Sequence, residues 1–267
     1  MKILVVTPTL GESPWLAETV ASVSVLSLAH EHVLVAPAAI VPVLAARFPG
    51  TTVVAEPGGG MYAAINVGLA AGRDWDAFTY LNDDDLLRPG FSAVVAALAA
   101  RPGQPLLAYG RVGLIDGEGR RLGAIPVSPS PGLNRDLYAQ RLEPVYQHGT
   151  LVSRAVWAQH GGFDAAYRFC GDSEFLARLC VRGVPAVRVG GEVAAFRLHG
   201  GQLTKNRPAM LAERARVDEQ LGLIAPKLTG RHHWAKLVFR VANLPVYAGR
   251  IFRHGLVSFD ELLERGG

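Results

Sequence analysis

The 267-residue chain is long enough for one large domain, or one domain with an appendage, but not for two full-sized domains. Its 49% hydrophobic and 19% charged residues exclude a disordered or fibrous protein, and its two cysteines exclude a disulfide-stapled scaffold. The net charge of +4 is unevenly distributed: residues 1–200 carry 16 basic and 17 acidic side chains, whereas residues 201–267 carry 11 basic and 6 acidic ones.

The N-terminal sequence predicts a buried strand rather than a signal peptide. Its apolar run reaches Pro8 too early for a signal-peptide core, and no small-residue cleavage site follows. No uncharged apolar stretch of about 18 residues occurs, which argues against a membrane-spanning helix. We therefore expect a cytoplasmic protein.

The first hundred residues alternate between strand-like and helix-like segments. The predicted strands cover residues 1–7, 32–36, 51–55 and 77–81, and the predicted helices cover residues 13–28, 37–48, 61–71 and 89–100. This order predicts a Rossmann-like α/β sheet with parallel strands and helices on both faces. Ligands bind such sheets at the carboxyl ends of the strands.

The pattern changes after residue 105. Strands over 106–115 and 121–125 flank a hairpin turn, Ser153 can cap a short helix, a helix covers 173–182, and strands cover 186–189 and 193–198. We predict a nucleotide-binding half over residues 1–105 and an acceptor-side half over residues 106–205. A basic amphipathic helical tail, residues 206–267, follows as an appendage.

The sharpest local feature is Asn82-Asp83-Asp84-Asp85, which follows a predicted buried strand. Three consecutive carboxylates repel one another unless a cation or an arginine joins them. At a strand end they can hold Mg²⁺ or Mn²⁺ when diphosphate oxygens complete the coordination shell. The alternative is a solvated acidic turn that caps the next helix.

Three other segments each allow a functional and a structural interpretation. Gly58-Gly59-Gly60 before a helix is either a phosphate cradle of backbone N–H groups or a flexible turn. Asp172, at the predicted start of a helix, is either a general base or an N-cap. His199, followed by two glycines, is either a metal or phosphate ligand or a polar loop residue.

Together, and in this order, these segments resemble the inverting family 2 glycosyltransferases of the GT-A fold over about residues 1–205. The resemblance implies a Rossmann-like mixed sheet flanked by helices. The acidic segment is similar to that family's DxD block. The matching residues include Thr7-Pro8-Thr9, Glu56 to Gly60, Tyr62, Asn66, Leu81 to Leu87, Gly161-Gly162-Phe163-Asp164, Asp172, Arg197 and His199-Gly200-Gly201.

The resemblance implies a metal-dependent hexosyltransferase of polysaccharide, O-antigen or glycolipid assembly. Asp84 and Asp85, with His199, would hold Mn²⁺ or Mg²⁺ against the diphosphate of a nucleotide sugar, and Asp172 would be the catalytic base. The residues implied to bind the donor are Pro8, Thr9, Glu12, Glu56, Gly60, Asn66, Asn82 and Asp83.

Three departures from the family pattern concern the donor and the base. Leu10-Gly11 stands where the family has an aromatic residue and Asn, and the second strand ends in Ala36-Pro37 without the Asp that contacts the nucleobase. UDP is therefore only the default nucleotide. Gly171 replaces an acid that often precedes the base, which leaves Asp172 as the main candidate.

The tail has no acidic residue between Glu219 and Asp260, and its basic residues alternate with aromatic and aliphatic ones. Such a segment is typical of a helix at an anionic membrane surface, and Pro245 predicts a break into two helices. The alternative is a helix packed on the body with a solvated basic face. Nothing resembles a nucleic-acid recognition motif, so we expect no nucleic-acid partner.

Two other functions compete with sugar transfer. A degenerate GT-A-like module would bind nucleotide without turnover, as the departures allow. A sugar nucleotidyltransferase has a similar sheet but needs a glycine-rich loop with a basic residue after the first strand, where this chain has Pro8-Thr9-Leu10-Gly11.

Overall fold

The computed structural model describes residues 1–200, 207–223 and 228–255. Its strands are β1 (Ile3–Pro8), β2 (His30–Ala36), β3 (Thr52–Ala55), β4 (Ala77–Tyr80), β5 (Leu86–Leu87), β6 (Leu107–Ile115), β7 (Arg121–Ala124), β8 (Thr150–Ser153) and β9 (Ala186–Arg197). Its helices are α1 (Leu16–Ser24), α2 (Val41–Arg47), α3 (Met61–Ala71), α4 (Phe91–Ala99), α5 (Asn134–Tyr138), α6 (Arg154–His160), α7 (Gly171–Val181), α8 (Arg207–Gln220), α9 (Gly230–Ala242) and α10 (Leu244–His254).

The first half is the predicted β-α-β-α-β-α-β unit. Strands β3, β2, β1 and β4 are neighbours in that order, and all three pairings are parallel. Alternate residues of β1 enter cores on opposite faces: Ile3 packs towards α1 and α4, while Leu4 packs towards α3 and α7. The carboxyl ends of these strands therefore meet at one edge of the sheet, as predicted.

The second half extends the same sheet with antiparallel pairings, so the sheet is mixed, as the family resemblance implies. Strand β8 pairs antiparallel with β4, and β6, β9 and β5 follow in order, with β7 pairing with β6. Instead of the two strands predicted over 186–198, the chain forms one long β9, whose register with β6 shifts beside Arg111. Ser153 occupies the N-cap position of α6 as predicted, but its hydroxyl makes no capping hydrogen bond and accepts the N–H of Leu106 instead.

The described helices of the tail contact the body. Helix α8 packs on α7, α9 packs on α5 and α10 packs on β7. The break predicted from Pro245 is confirmed, since α9 ends at Ala242 and α10 begins at Leu244. The predicted domain boundary at residue 205 and the glycine Gly201 of the predicted ligand loop lie outside the described residues. Within the described ranges, no helix is both long and apolar enough to span a bilayer.

His32 of β2 makes the stability of the fold depend on pH. It is 4% exposed, its Nε2 lies 3.0 Å from the Thr7 hydroxyl, and burial followed by the charge of His30 lowers its pKa from 6.5 to about 3. Below pH 6.5 the unfolded chain therefore binds a proton at this position that the folded chain does not. The free energy of unfolding then falls as the pH is lowered from 6.5 towards 3.

We expect the variant His32→Gln to lose less stability on acidification than the wild-type protein. Between pH 6.5 and 5 the difference in free energy of unfolding amounts to about 2 kcal/mol, at about 1.4 kcal/mol per pH unit. Urea unfolding of both proteins at pH 7 and pH 5 measures it. Equal losses in the two proteins would contradict the assignment.

Candidate active site

The three consecutive aspartates after β4 have three different environments. Asp83 Oδ2 accepts a hydrogen bond from the Thr9 hydroxyl at 2.5 Å, and Asp84 Oδ2 lies 2.7 Å from His199 Nε2. Asp85 is completely buried. The turn is therefore not the solvated acidic cap that the sequence left open as an alternative.

Asp85 is held within the chain on both carboxylate oxygens. Its Oδ1 accepts the backbone N–H of Arg197 at 2.9 Å, and its Oδ2 accepts the Asn82 amide at 3.2 Å and lies 3.0 Å from His148 Nε2. Although burial opposes a charged imidazole, the Asp85 carboxylate raises the pKa of His148 above its ordinary value. These contacts correct the prediction that Asp85 is a metal ligand, because it anchors the turn from inside.

Asp84 presents the features expected of a metal ligand. Burial, followed by repulsion from Asp85, raises its pKa, although the hydrogen bond with His199 opposes the rise. Its Oδ1 is buried and has no hydrogen-bond partner. A buried carboxylate oxygen without a donor is costly unless a cation joins it. Because carboxylate and imidazole groups also bind Mn²⁺, Asp84 and His199 fit a divalent metal.

Asp83 stands beside this pair. Burial and the Asp84 charge raise its pKa, while the hydrogen bond from Thr9 lowers it. Among the described residues, no three His, Cys, Asp or Glu side chains form a metal-binding group by themselves.

Arg197, which the sequence-based site did not include, organises the acidic turn. It is fully buried at the end of β9, and its Nε donates to the backbone carbonyl of Asp84 at 2.8 Å. Its other nitrogens donate to Glu18 at 2.7 Å and to the Gly117 carbonyl at 3.1 Å. The guanidinium also lies 5.3 Å from the centre of the Trp15 ring.

Trp15 links Arg197 to the candidate ligand. Its Nε1 donates to the Gly117 carbonyl at 2.8 Å, and its ring centre lies 4.5 Å from that of His199. The only sequence signal for this cluster was an arginine in an otherwise apolar strand, together with its place in the family resemblance.

We expect Arg197→Met to lower the free energy of unfolding by about 3–5 kcal/mol, because it leaves the carbonyl groups of Asp84, Asp116 and Gly117 without their donor inside the protein. The control Arg121→Met removes a half-exposed arginine, 2.8 Å from Glu192, and should cost less than about 1 kcal/mol. Urea unfolding of both variants measures the difference. Similar small losses would show that the buried network is not important for stability.

Asp172 lies in the first turn of α7, the helix that the sequence predicted. Its Oδ1 accepts the hydroxyl of Tyr62 at 3.0 Å and the N–H of Ser173 at 2.9 Å. The capping position of the helix is Cys170, so Asp172 is not the N-cap. Burial and the Asp172 charge raise the pKa of Tyr62, which therefore stays a hydrogen-bond donor and orients the carboxylate.

The close approach of the Tyr62 ring explains why residue 171 is a glycine rather than the acid that often precedes the base in family 2 glycosyltransferases. A Cβ atom at this position would lie 2.6 Å from two atoms of the Tyr62 ring. A side chain here would displace the tyrosine that orients Asp172, so the glycine and the Tyr62–Asp172 hydrogen bond belong to one local arrangement.

Helix α8 holds the segment that precedes Asp172. The backbone N–H groups of residues 168–170 donate to the Glu213 carboxylate at 2.7, 2.7 and 2.9 Å. Glu143 accepts a hydrogen bond from the hydroxyl of Ser173 at 2.8 Å and forms an ion pair with Arg214 of α8. The sequence gave no sign of these contacts, since they join residues at least 30 positions apart.

The predicted donor-binding residues follow neighbouring strands. Pro8 ends β1, with Thr9 next to it, while Glu12 is exposed in the following loop. Glu56 follows β3, where its N–H donates to the carbonyl of Ala36.

The glycine segment before α3 has an unusual backbone. Gly58, Gly59 and Gly60 have φ angles of 77°, 109° and 91°, a left-handed backbone that only glycine adopts easily. Asn82 begins the acidic turn, where the Oδ1 of its amide is buried without a partner.

Both polar atoms of the Asn66 amide are engaged within the chain. Its amide nitrogen donates to the carbonyl of Phe163 at 2.7 Å, and its Oδ1 accepts the Phe163 N–H at 3.0 Å. A Cβ at Gly162 would lie 2.3 Å from that Oδ1. The prediction is corrected accordingly: Asn66 joins α3 to the turn before α7.

The described chain is similar to several solved glycosyltransferases. The 1–349 segment of S. aureus TarS, in complex with UDP-GlcNAc, has a TM-score of 0.65 at 14% identity over 98% of this chain and 78% of that one. The mannosyltransferase PcManGT of Pyrobaculum calidifontis, with GDP-Man and Mn²⁺, has a TM-score of 0.59 at 16% identity over 99% and 79%. The fold is the GT-A fold.

A third GT-A structure agrees with these two. Glucosyl-3-phosphoglycerate synthase of Mycobacterium tuberculosis, with Mn²⁺, UDP and phosphoglyceric acid, has a TM-score of 0.57 at 17% identity over 86% of this chain and 80% of that one. No protein-family model and no curated protein matches the sequence. The similarity therefore confirms the predicted mixed GT-A sheet with flanking helices, and the chemistry depends on the residues described above.

Proposed function

We propose that the protein is a metal-dependent, inverting glycosyltransferase of family 2 that moves a sugar from a nucleotide-diphosphate sugar to an acceptor hydroxyl. The observation that carries the proposal is the buried, unpartnered Oδ1 of Asp84 beside His199, at the end of β4 in a GT-A fold. This is the strand-end position at which α/β sheets bind ligands.

The donor lies along the edge formed by β1, β3 and β4. Asp84 and His199 would hold Mn²⁺ or Mg²⁺, with Asp83 beside them. The metal, when bound, offsets the charge that develops on the departing nucleoside diphosphate. PcManGT with GDP-Man and the synthase with UDP, both with Mn²⁺, support this assignment, and a UDP-sugar is the default donor.

Asp172 is the general base. Its carboxylate takes the proton of the acceptor hydroxyl, whose oxygen forms a bond to the anomeric carbon of the sugar. The bond from that carbon to the diphosphate oxygen breaks on the opposite side, so the anomeric configuration inverts. Tyr62 fixes the carboxylate by its 3.0 Å hydrogen bond, and Glu213 holds the segment before it.

The acceptor is a hydroxyl of a polysaccharide, O-antigen or glycolipid intermediate. The protein works in the cytoplasm and rests peripherally on the inner face of the plasma membrane. The basic tail, which contains no acidic residue between Glu219 and Asp260, supports this location.

A screen of nucleotide sugars tests the proposal by product. We expect release of a nucleoside diphosphate from one donor in the presence of Mn²⁺, and its loss on chelation. Release of pyrophosphate from a nucleoside triphosphate and a sugar 1-phosphate, tried in parallel, would instead identify a sugar nucleotidyltransferase. Nucleotide binding without any release, across donors and acceptors, would identify a binding module without turnover.

A further inference from the structure

The outward faces of α9 and α10 expose an apolar stripe. Of the twelve large hydrophobic side chains that are exposed among the described residues, six lie in these two helices. In α9 they lie three and four positions apart, and in α10 Leu244 and Ile251 lie seven apart with Phe252 adjacent, so within each helix they share one side. We call these six residues the apolar stripe: Trp234, Leu237, Val241, Leu244, Ile251 and Phe252.

The stripe does not face the core, because other residues of both helices make the contacts with the body. Ala235 and Phe239 are buried against Leu137 of α5. Between the helices, Asn243 is buried and exchanges hydrogen bonds with the backbone of Val127 at 2.9 and 3.2 Å. His254 Nε2 lies 2.8 Å from the Leu122 carbonyl. These contacts fix the orientation of the pair.

The two helices that carry the stripe have one sign of charge. Residues 228–255 contain five basic side chains and no acidic one: Arg231, Lys236, Arg240, Arg250 and Arg253. Arg231 pairs with Asp136 of the body, at 2.8 Å. Lys236 and Arg240 belong to the same helix as Trp234. Arg250 and Arg253 are next to Ile251 and Phe252 in sequence, and Arg253 also reaches the Arg121 carbonyl at 3.5 Å.

The exposed apolar residues and the basic charge of these two helices together indicate which partner binds the apolar stripe. A second copy of the chain would bring two basic surfaces together, and like charges at a contact oppose association. An anionic lipid surface takes up aromatic and aliphatic side chains at the headgroup level and attracts the basic ones around them. Phe252, which is 93% exposed at the end of α10, is placed to insert.

We propose that the apolar stripe of α9 and α10 is a docking surface for anionic membrane lipid, with both helices lying in the plane of the interface. Lipid docking by these residues extends the peripheral membrane location in the proposed function, and it rests on that function only for the nature of the acceptor. The assignment concerns lipid binding, which needs neither donor nor metal.

Flotation of the full chain with lipid vesicles tests the assignment. We expect the protein to float with vesicles that contain phosphatidylglycerol and to stay behind with pure phosphatidylcholine. The double variant Ile251→Ser/Phe252→Ser should reduce binding about tenfold or more, because it removes two inserting side chains. The control Val25→Ser/Val43→Ser changes residues that are 74% and 64% exposed outside the stripe, and should bind like the wild type.

Three results would overturn the assignment. These are failure to float with anionic vesicles, binding that the double variant leaves unchanged, and a dimer in sedimentation that the double variant dissociates, which would give the stripe to a second copy. Nucleotide-sugar turnover on a soluble acceptor, measured on the same variants, separates the two proposals. Absence of turnover in the wild-type protein would contradict sugar transfer without affecting the flotation result.

Discussion

Replacing Asp172 by Asn is expected to lower kcat by about 10²–10⁴-fold, the usual contribution of a positioned general base. The amide has nearly the same shape and still accepts a hydrogen bond from Tyr62, but it cannot take the proton of the acceptor hydroxyl. Donor binding should be unchanged, because the base contacts the acceptor. Initial rates of nucleotide release, together with calorimetric titration of the nucleotide, measure both quantities.

Asp74→Asn is the matched control for this variant. It makes the same chemical change at an exposed turn whose φ angle of 51° suits asparagine. It should keep wild-type rates. Full activity of Asp172→Asn would show that another group removes the proton.

Replacing Asp84 by Asn is expected to abolish the metal dependence of donor binding and to lower turnover by about 10²–10³-fold. A neutral amide binds a divalent cation weakly, so several kcal/mol of stabilisation of the leaving diphosphate are lost. Titration of nucleotide with Mn²⁺, and rates over a range of Mn²⁺ concentrations, measure the effect. A variant with wild-type Mn²⁺ dependence would remove Asp84 from the site.

The stability of the Asp84→Asn variant separates this effect from misfolding. Burial and repulsion from Asp85 raise the pKa of Asp84, so its ionised form destabilises the metal-free fold at neutral pH. Without metal, the variant should therefore unfold at the same temperature as the wild type or at a higher one. A large drop in melting temperature would mean that lost activity reports lost structure.

Local patterns were sufficient to predict the first half of the fold. The apolar runs of β1 and β2 and the helical spacing of α3 are encoded within short segments, and α3 has the predicted bounds. The second half depends on pairings between distant strands. The position of β8 between β4 and β6 is set by pairing with strands far away in the sequence. Strand β5 is only two residues long, which is too short to produce a periodic signal.

The site was predictable at the level of segments but not of side chains. Three consecutive aspartates cannot be distinguished in the sequence. Only the fold shows that Asp83 contacts Thr9, that Asp84 contacts His199 and that Asp85 is buried in the interior. Arg197 and Glu213 were missed for the same reason, because their importance comes from partners far away along the chain. Asn66 matched the family segment, yet its amide is used to hold the turn at Phe163.

The most direct test of the central claim is calorimetric titration of UDP and GDP into the wild-type protein, with Mn²⁺ and with chelator. The account predicts that one of the two nucleotides binds in the presence of Mn²⁺, that chelation removes this binding, and that Asp84→Asn does not show it. Binding that persists with chelator and in the variant, or no binding of either nucleotide with Mn²⁺, would contradict it.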